Sequence, residues 1–362
     1  MQQNTINSNE QDIQKKEKKY TFDDYALIIV IGKGAFGKVL LVKNKVDKRI
    51  YAMKILKKKD LKNEKQVENV ISERNILVKV RHPFIIRLQQ SFQNKEKLYF
   101  ILEYCPGGDL YNLLRKRKKF TEDQTRFYAA QILLAIEELH KQNIIYRDQN
   151  QNESIAQSMC GTPEYIAPEI IQKQGYSKPI DWWAYGCLIF EMLTGLPPFI
   201  SNNLNDLFNK IIHCELVYPE NMTKHCLDLL KKLLAKDPKN RIGTQNGAEE
   251  IKSHKWFSNL DFQNLYDQLY APPFTPLIKS DLDVRNFNRE FTEININSVN
   301  SKTPQSQINT KHYLGFSYMG STQKEDLGED EEDDNFSTQQ QQNQEQIDEK
   351  EEEQEDDNEN QY

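Results

Sequence analysis

Three glycines within six residues, Gly32-Lys33-Gly34-Ala35-Phe36-Gly37, stand between two apolar runs, Ala26–Ile31 and Val39–Val42. Short apolar runs on either side of a glycine-rich turn predict two strands joined as a hairpin. Glycine lets a backbone approach phosphate oxygens and adopt dihedrals closed to other residues. The spacing G-x-G-x-x-G also opens dinucleotide-binding folds, but there a helix starts at the third glycine and an acidic residue follows about twenty positions on. Here the third glycine leads into Val39–Val42 and then into a further strand, Ile50–Leu56, that carries Ala52-Met53-Lys54. The pattern calls for a phosphate-cradling turn inside a small β-rich unit.

Lys54 lies within an apolar run, where an unpaired ammonium is costly. A partner is therefore expected. Between 63 and 79 the residues Val67, Val70, Ile71 and Leu77 recur at helical spacing, which places Glu73 on the inward face of that helix. Leu98–Glu103 reads as another strand, broken by Pro106-Gly107-Gly108. Strands with a single helix make a small first lobe.

Beyond it the pattern turns helical. Thr121 followed by Gln124 is a capping-box signature, and the helix it opens carries Tyr128, Ile132, Ile136 and Leu139 along one side. Asp181 is expected to open a second helix, Trp182 to Thr194, closing at Gly195. Apolar nearly all round, it belongs in a core. Further helices follow through roughly 225–257. There is no internal repeat.

At 362 residues the chain has room for one two-lobed domain with tails. No run approaches the length of a membrane span, and the Gln/Asn/Lys-rich start is not a signal peptide. Five scattered cysteines, Cys105, Cys160, Cys187, Cys214 and Cys226, show no paired or zinc-site spacing. They read as reduced thiols, and the expected location is cytoplasmic. The net charge of −6 divides sharply: residues 324–362 carry −16, and the remainder carries +10. So much charge beside a glutamine run, Gln339–Gln342, predicts a solvated acidic tail. Residues 115–119, Arg-Lys-Arg-Lys-Lys, form a basic cluster at a helix connection without stacking aromatics, so no nucleic-acid partner is implied.

Taken together, the motifs resemble those of the protein kinases. Gly32–Val39 matches G-x-G-x-x-G-x-V, and Lys54 with Glu73 resembles the lysine–glutamate pair that holds the α- and β-phosphates of ATP. The resemblance implies an α+β, two-lobed kinase-like fold spanning 21–257, with a small antiparallel β lobe (25–104) bearing one helix and a larger, mostly helical lobe (105–257). Leu102-Glu103-Tyr104-Cys105 matches the segment joining the lobes, which implies that the Glu103 carbonyl and Cys105 amide meet the adenine edge. Leu102 then stands as gatekeeper and Asp109 reaches the ribose. The implied nucleotide-binding set is Ile31, Gly32, Gly34, Gly37, Val39, Ala52, Lys54, Glu73, Glu103, Cys105 and Asp109. The family's ATP and Mg²⁺ are the implied substrate and metal.

Ile144-Ile145-Tyr146-Arg147-Asp148 resembles the start of the kinase catalytic loop, with Asp148 as the residue that accepts the substrate hydroxyl proton. Cys160-Gly161-Thr162-Pro163-Glu164-Tyr165-Ile166-Ala167-Pro168-Glu169 resembles the end of the activation segment. In the family a lysine, a metal-binding asparagine and an Asp-Phe-Gly motif lie between them. Here only the eleven residues from Gln149 to Met159, most of them polar, do, and none of the three motifs is among them. Continuing the family count puts Glu153 where the asparagine is expected, and no protein metal ligand is assigned. The Cys160–Glu169 block, with Lys54 and Glu73, excludes an oxidoreductase.

Downstream, Glu169 is expected to pair with Arg241 of Asp237-Pro238-Lys239-Asn240-Arg241. Thr162 matches the residue that selects serine or threonine substrates. Pro272–Pro276, Asn286–Thr292 and Tyr313–Tyr318 resemble the carboxyl-terminal tail of the AGC group of serine/threonine kinases, assigned to 258–320. Phe287 then lies beside the nucleotide, and the aromatics of 313–318 dock on the outer face of the 63–79 helix. Ser158, Thr303 and Ser317 are the implied phosphosites, with Arg147 as ligand for the first and Lys62 and Lys65 as receivers for the last. Residues 1–20 and 321–362 are expected to be disordered. The implied partners are proteins bearing serine or threonine and an upstream activating kinase, with no membrane domain. Two readings stay open: an AGC-type kinase whose transfer is lost or strongly impaired, and a pseudokinase scaffold that occupies kinase partners.

Overall fold

The computed structural model describes residues 20–34, 36–145, 163–175, 177–220, 222–296, 313 and 315–319. The small lobe is a six-stranded sheet built from β1 (Tyr25–Lys33), β2 (Gly37–Asn44), β3 (Ile50–Lys57), β4 (Leu88–Gln93), β5 (Lys97–Glu103) and β6 (Tyr318–Met319). Their order is β1-β2-β3-β5-β4-β6, and every pairing is antiparallel. Two strands escaped the sequence pattern. Leu88–Gln93 holds three glutamines and no alternation, and it is a strand because β5 and β6 pair with it on either side.

Strand alternation sorts the apolar residues onto two faces. One carries Ile31, Leu41, Ala52, Leu56 and Phe100 and packs against α1 (Glu64–Lys79). The other carries Val30, Leu40, Val42, Met53, Ile55, Tyr99 and Ile101 and is partly covered by Phe22, Phe291 and Ile294. Asn63 caps α1 by accepting from the Gln66 amide. The residue that ends the helix, Val80, is extended.

The large lobe is helical, as expected. It comprises α2 (Leu110–Arg117), α3 (Glu122–Lys141), α4 (Pro168–Ile171), α5 (Pro179–Thr194), α6 (Leu204–His213), α7 (Lys224–Leu233), α8 (Ala248–Lys252) and α9 (Phe262–Tyr266). The capping box at Thr121 and Gln124 is formed. α5 runs through the core with Trp182, Trp183, Cys187 and Ile189 fully buried, and it closes at Gly195. Its start needs a correction: the helix opens at Pro179, whose fixed φ suits the first turn. Asp181 therefore lies inside the helix, and its Oδ2 meets His140 Nε2 at 2.7 Å. The basic cluster is also placed: Arg115, Lys116 and Arg117 form the exposed last turn of α2, where cations offset the helix dipole. α10 (Arg289–Thr292) belongs to the tail and packs on β1.

Among the described residues no helix is long and apolar enough to cross a membrane. Cys105, Cys187, Cys214 and Cys226 are free thiols.

Candidate nucleotide cleft and docked tail

The glycine hairpin forms where expected. The Gly34 amide donates to the Gly37 carbonyl at 2.9 Å, closing the turn between β1 and β2. The glycines differ in why they are needed. A Cβ on Gly37 would sit 1.8 Å from the Ile55 carbonyl oxygen, so any other residue would force β2 away from β3. A Cβ on Gly34 would meet nothing within 4 Å, so its backbone borders open space. Gly32 would bring a Cβ within 3.4 Å of Val39, an ordinary contact.

Register then sets the residues below the turn. Val39 pairs with Lys54, and Lys54 with Phe100, so the lysine projects from the same face as Ile31, Val39 and Ala52. Its ammonium meets Glu73 Oε1 at 2.5 Å and lies 5.4 Å from the Phe100 ring centre. The lysine is 28 % exposed and the glutamate 42 %, so the pair borders solvent rather than filling a sealed core. A partly solvated ion pair adds little stability. Its consequence is positional: α1 fixes where the ammonium points.

At the lobe connection Leu102 is buried, the Glu103 amide donates to Arg87 O at 3.1 Å, and the Cys105 carbonyl accepts from Gly108 N at 3.2 Å. Cys105 is exposed rather than a packed turn residue. Asp109 caps α2: its Oδ1 accepts from Asn112 N at 2.7 Å and its Oδ2 from Asn112 Nδ2 at 2.8 Å. The carboxylate that the resemblance sends to a ribose is here engaged by the helix end. Gly108 has φ +77°, and a Cβ there would lie 2.5 Å from Asn286 O, because the tail crosses the connection at this point.

The tail docks as the resemblance implied. Asn286 Nδ2 donates to Pro106 O at 3.0 Å, and Phe287 stacks on Tyr104 with ring centres 5.8 Å apart. The Tyr104 hydroxyl donates to Asp283 O at 2.7 Å, and burial pushes its pKa up to about 12. Further on, Tyr313 and Phe316 are buried in the cluster formed by α1 and the sheet. Phe316 meets Phe100 edge-on at 5.3 Å, and Lys58 lies 4.4 Å above the Tyr313 ring. On α1 the backbone of the tail is held by Arg74, a residue that the sequence motifs do not single out. Its Nε donates to Phe316 O at 3.1 Å and its Nη2 to Ser317 O at 3.2 Å.

In the large lobe Arg241 and Glu169 form the expected pair. Arg241 Nη1 and Nη2 donate to the two carboxylate oxygens at 2.6 and 2.9 Å, and both residues are buried. Tyr165 donates to Glu191. Asp148, Ser158, Thr162 and Thr303 lie outside the described residues, as do Arg147 and Cys160. Among the described residues no cluster of three or more His, Cys, Asp or Glu could hold a metal ion.

A glycine hairpin laid over a lysine that a helix holds in place is how a protein kinase receives ATP, and a tail folded back onto that helix is how the AGC group is built. The protein kinase domain matches residues 25–152 and 148–257, in two pieces that overlap at 148–152. The protein kinase C terminal domain matches 278–318. The human serine/threonine-protein kinase Sgk2 is 39 % identical over 324 residues, covering 82 % of this chain and 88 % of that protein. The RAC family serine/threonine-protein kinase homolog of Dictyostelium discoideum is 38 % identical over 338 residues, 85 % of this chain and 75 % of the relative. The serine/threonine-protein kinase sgk-1 of Caenorhabditis elegans is 40 % identical over 315 residues, 80 % and 68 % of the two chains. The chain belongs to the AGC group of serine/threonine protein kinases.

Proposed function

We propose that this chain binds adenine nucleotide between its lobes and that its transfer of the γ-phosphoryl group to protein serine or threonine is lost or strongly impaired. The observation that carries this is the direct joining of Asp148 to Cys160 by eleven residues. In the family Mg²⁺ supplies the neutralisation of phosphate charge. The donors present do not fit it: Glu153 is the one carboxylate between Gln149 and Met159, and the family's asparagine and Asp-Phe-Gly aspartate have no counterpart.

What remains is the nucleotide side. The open backbone at Gly34 approaches phosphate oxygens, Lys54 held by Glu73 pairs with them, and Glu103 and Cys105 offer backbone groups to the adenine edge. Positioning of this kind binds a nucleotide without completing the transfer. Ser158, Thr303 and Ser317 are the proposed phosphosites, acted on by an upstream kinase, and the proposed setting is the cytoplasm.

Incubation with Mg-ATP and a basic serine/threonine peptide, with Asp148→Asn as blank, tests the reading. Phosphate incorporation close to the blank is expected. Robust incorporation that disappears in Asp148→Asn overturns it. The alternative is a pseudokinase scaffold, for which the docked tail and the Lys54–Glu73 pair would supply a formed small lobe. Thermal-shift titration shows how much nucleotide the scaffold retains, with a small, magnesium-independent stabilisation expected.

A further inference from the structure

One lysine from each of four neighbouring strands forms a row across the end of the small-lobe sheet, on the face away from Lys54. Lys33 of β1 stands directly opposite Lys38 of β2, and Lys57 of β3 directly opposite Lys97 of β5. Lys38 pairs with Ile55, which puts Lys57 one same-face step away on β3. Directly opposed residues share a face, and alternate residues along a strand return to it. Lys38 therefore continues the face of Leu40 and Val42, Lys57 that of Met53 and Ile55, and Lys97 that of Tyr99 and Ile101. At about 4.8 Å between strands the row crosses roughly 14 Å.

Like charges directly opposed across strands destabilise a sheet. The repulsion is felt within the row. Desolvation holds the Lys38 amine below its ordinary range, and the charges of Lys57 and Lys33 push it the same way. Lys97 is lowered first by desolvation and further by Lys57, while Glu96 acts in the opposite direction.

We propose that Lys33, Lys38, Lys57 and Lys97 form a docking strip for an acidic protein segment, an extended run of aspartate and glutamate. The row contains no arginine, so it lacks the planar fork that grips phosphate in two bonds. The large side chains continuing its face, Leu40, Ile55 and Tyr99, are buried, so they present neither a stacking platform for bases nor an apolar wedge for lipid. Carboxylates on alternate residues of an extended chain recur about every 7 Å, so two or three fall along the row. A segment bound there leaves the cleft face free.

The test is fluorescence anisotropy of a labelled oligo-glutamate peptide titrated with the full chain. Lys57→Gln with Lys97→Gln is expected to weaken binding about tenfold at low salt, and the difference narrows at high salt. Lys57→Arg with Lys97→Arg keeps the charge and is expected to keep the affinity, which separates a charge effect from misfolding. Equal affinity in the glutamine variant and the unmodified chain overturns the proposal. So does tighter binding of duplex DNA, or of vesicles containing phosphatidylserine, that is lost in the same variant.

Discussion

Arg74 on α1 and Phe316 in the tail are joined at 3.1 Å, 242 residues apart in the chain. Ser91 Oγ closes on the same carbonyl at 2.6 Å, so Phe316 O is held by two donors from the small lobe. Arg74 immediately follows Glu73, which holds Lys54. Neighbouring helical residues point about 100° apart, so one turn of α1 faces both cleft and tail. The position of the tail and the aim of Lys54 are therefore mechanically linked.

Replacing Arg74 by methionine keeps most of the stem and removes both bonds to the tail. Hydrogen bonds from a charged group contribute about 1.5–3 kcal/mol, less where solvent reaches them, so a loss of about 1–2 kcal/mol is expected. Hydrogen exchange should quicken in both α1 and residues 315–319. Faster exchange in the tail alone would show that α1 holds its position without the tail.

Much of this arrangement was legible in the sequence, for identifiable reasons. The hairpin, Lys54 and Glu73 announce themselves because glycine and a lysine among apolar residues each have few uses. The tail aromatics announce themselves by spacing. β4 was illegible because Gln89, Gln90 and Gln93 hide a strand whose identity comes from its neighbours. Arg74 was illegible because an arginine on a helix surface is ordinary until a backbone 242 residues away arrives beside it.

The buried Glu169–Arg241 pair makes a separate prediction. Arg241 also donates to Pro179 O at 2.9 Å and lies 5.2 Å from the Trp183 ring, so it ties α4, α5 and the loop after α7 together. Removing one charge strands the other away from water. Glu169→Ala should cost about 3–5 kcal/mol in urea denaturation. Glu169→Leu combined with Arg241→Met should recover a large part of that loss. A double variant no more stable than the single one would mean the hydrogen bonds matter more than the stranded charge.

Lys236 supplies a pH dependence. Its amine donates to Ile211 O and sits 4.2 Å above the Phe199 ring, and burial pushes its pKa down to about 8. The folded state then loses this proton before the unfolded state does. Between about pH 8 and the ordinary lysine value the unfolded chain binds more protons, so stability rises with pH across that window. Below pH 8 both states are protonated, and the linkage contributes no slope. The side chain is only half-buried, so screening limits the gain to about 1–2 kcal/mol. Urea midpoints at pH 7 and pH 9.5, compared with Lys236→Met, isolate the effect from the tyrosines. A slope that is the same in both proteins would assign it to other groups.

Phosphorylation at Ser317 should tighten a docking that already exists rather than create it. Ser317 is exposed, while its carbonyl is held by Arg74 and its neighbours Phe316 and Tyr318 are fixed by burial and by pairing with β4. A phosphate adds up to about two negative charges and three strong acceptors close to that guanidinium, enough for one to three charge-assisted bonds. Phe316→Ala, by contrast, removes a ring with 1 % exposure, and its cost of about 3–5 kcal/mol exceeds what a surface phosphate returns. The expected order of protection in α1 during hydrogen exchange is phosphorylated chain, then unmodified chain, then Ser317→Ala close to the unmodified chain, and Phe316→Ala lowest. If protection in Ser317→Ala fell to the level of Phe316→Ala, the serine hydroxyl itself would be holding the tail. If the phosphorylated and unmodified chains matched, Arg74 would already be saturated by the two carbonyls, and the phosphate would have to act elsewhere.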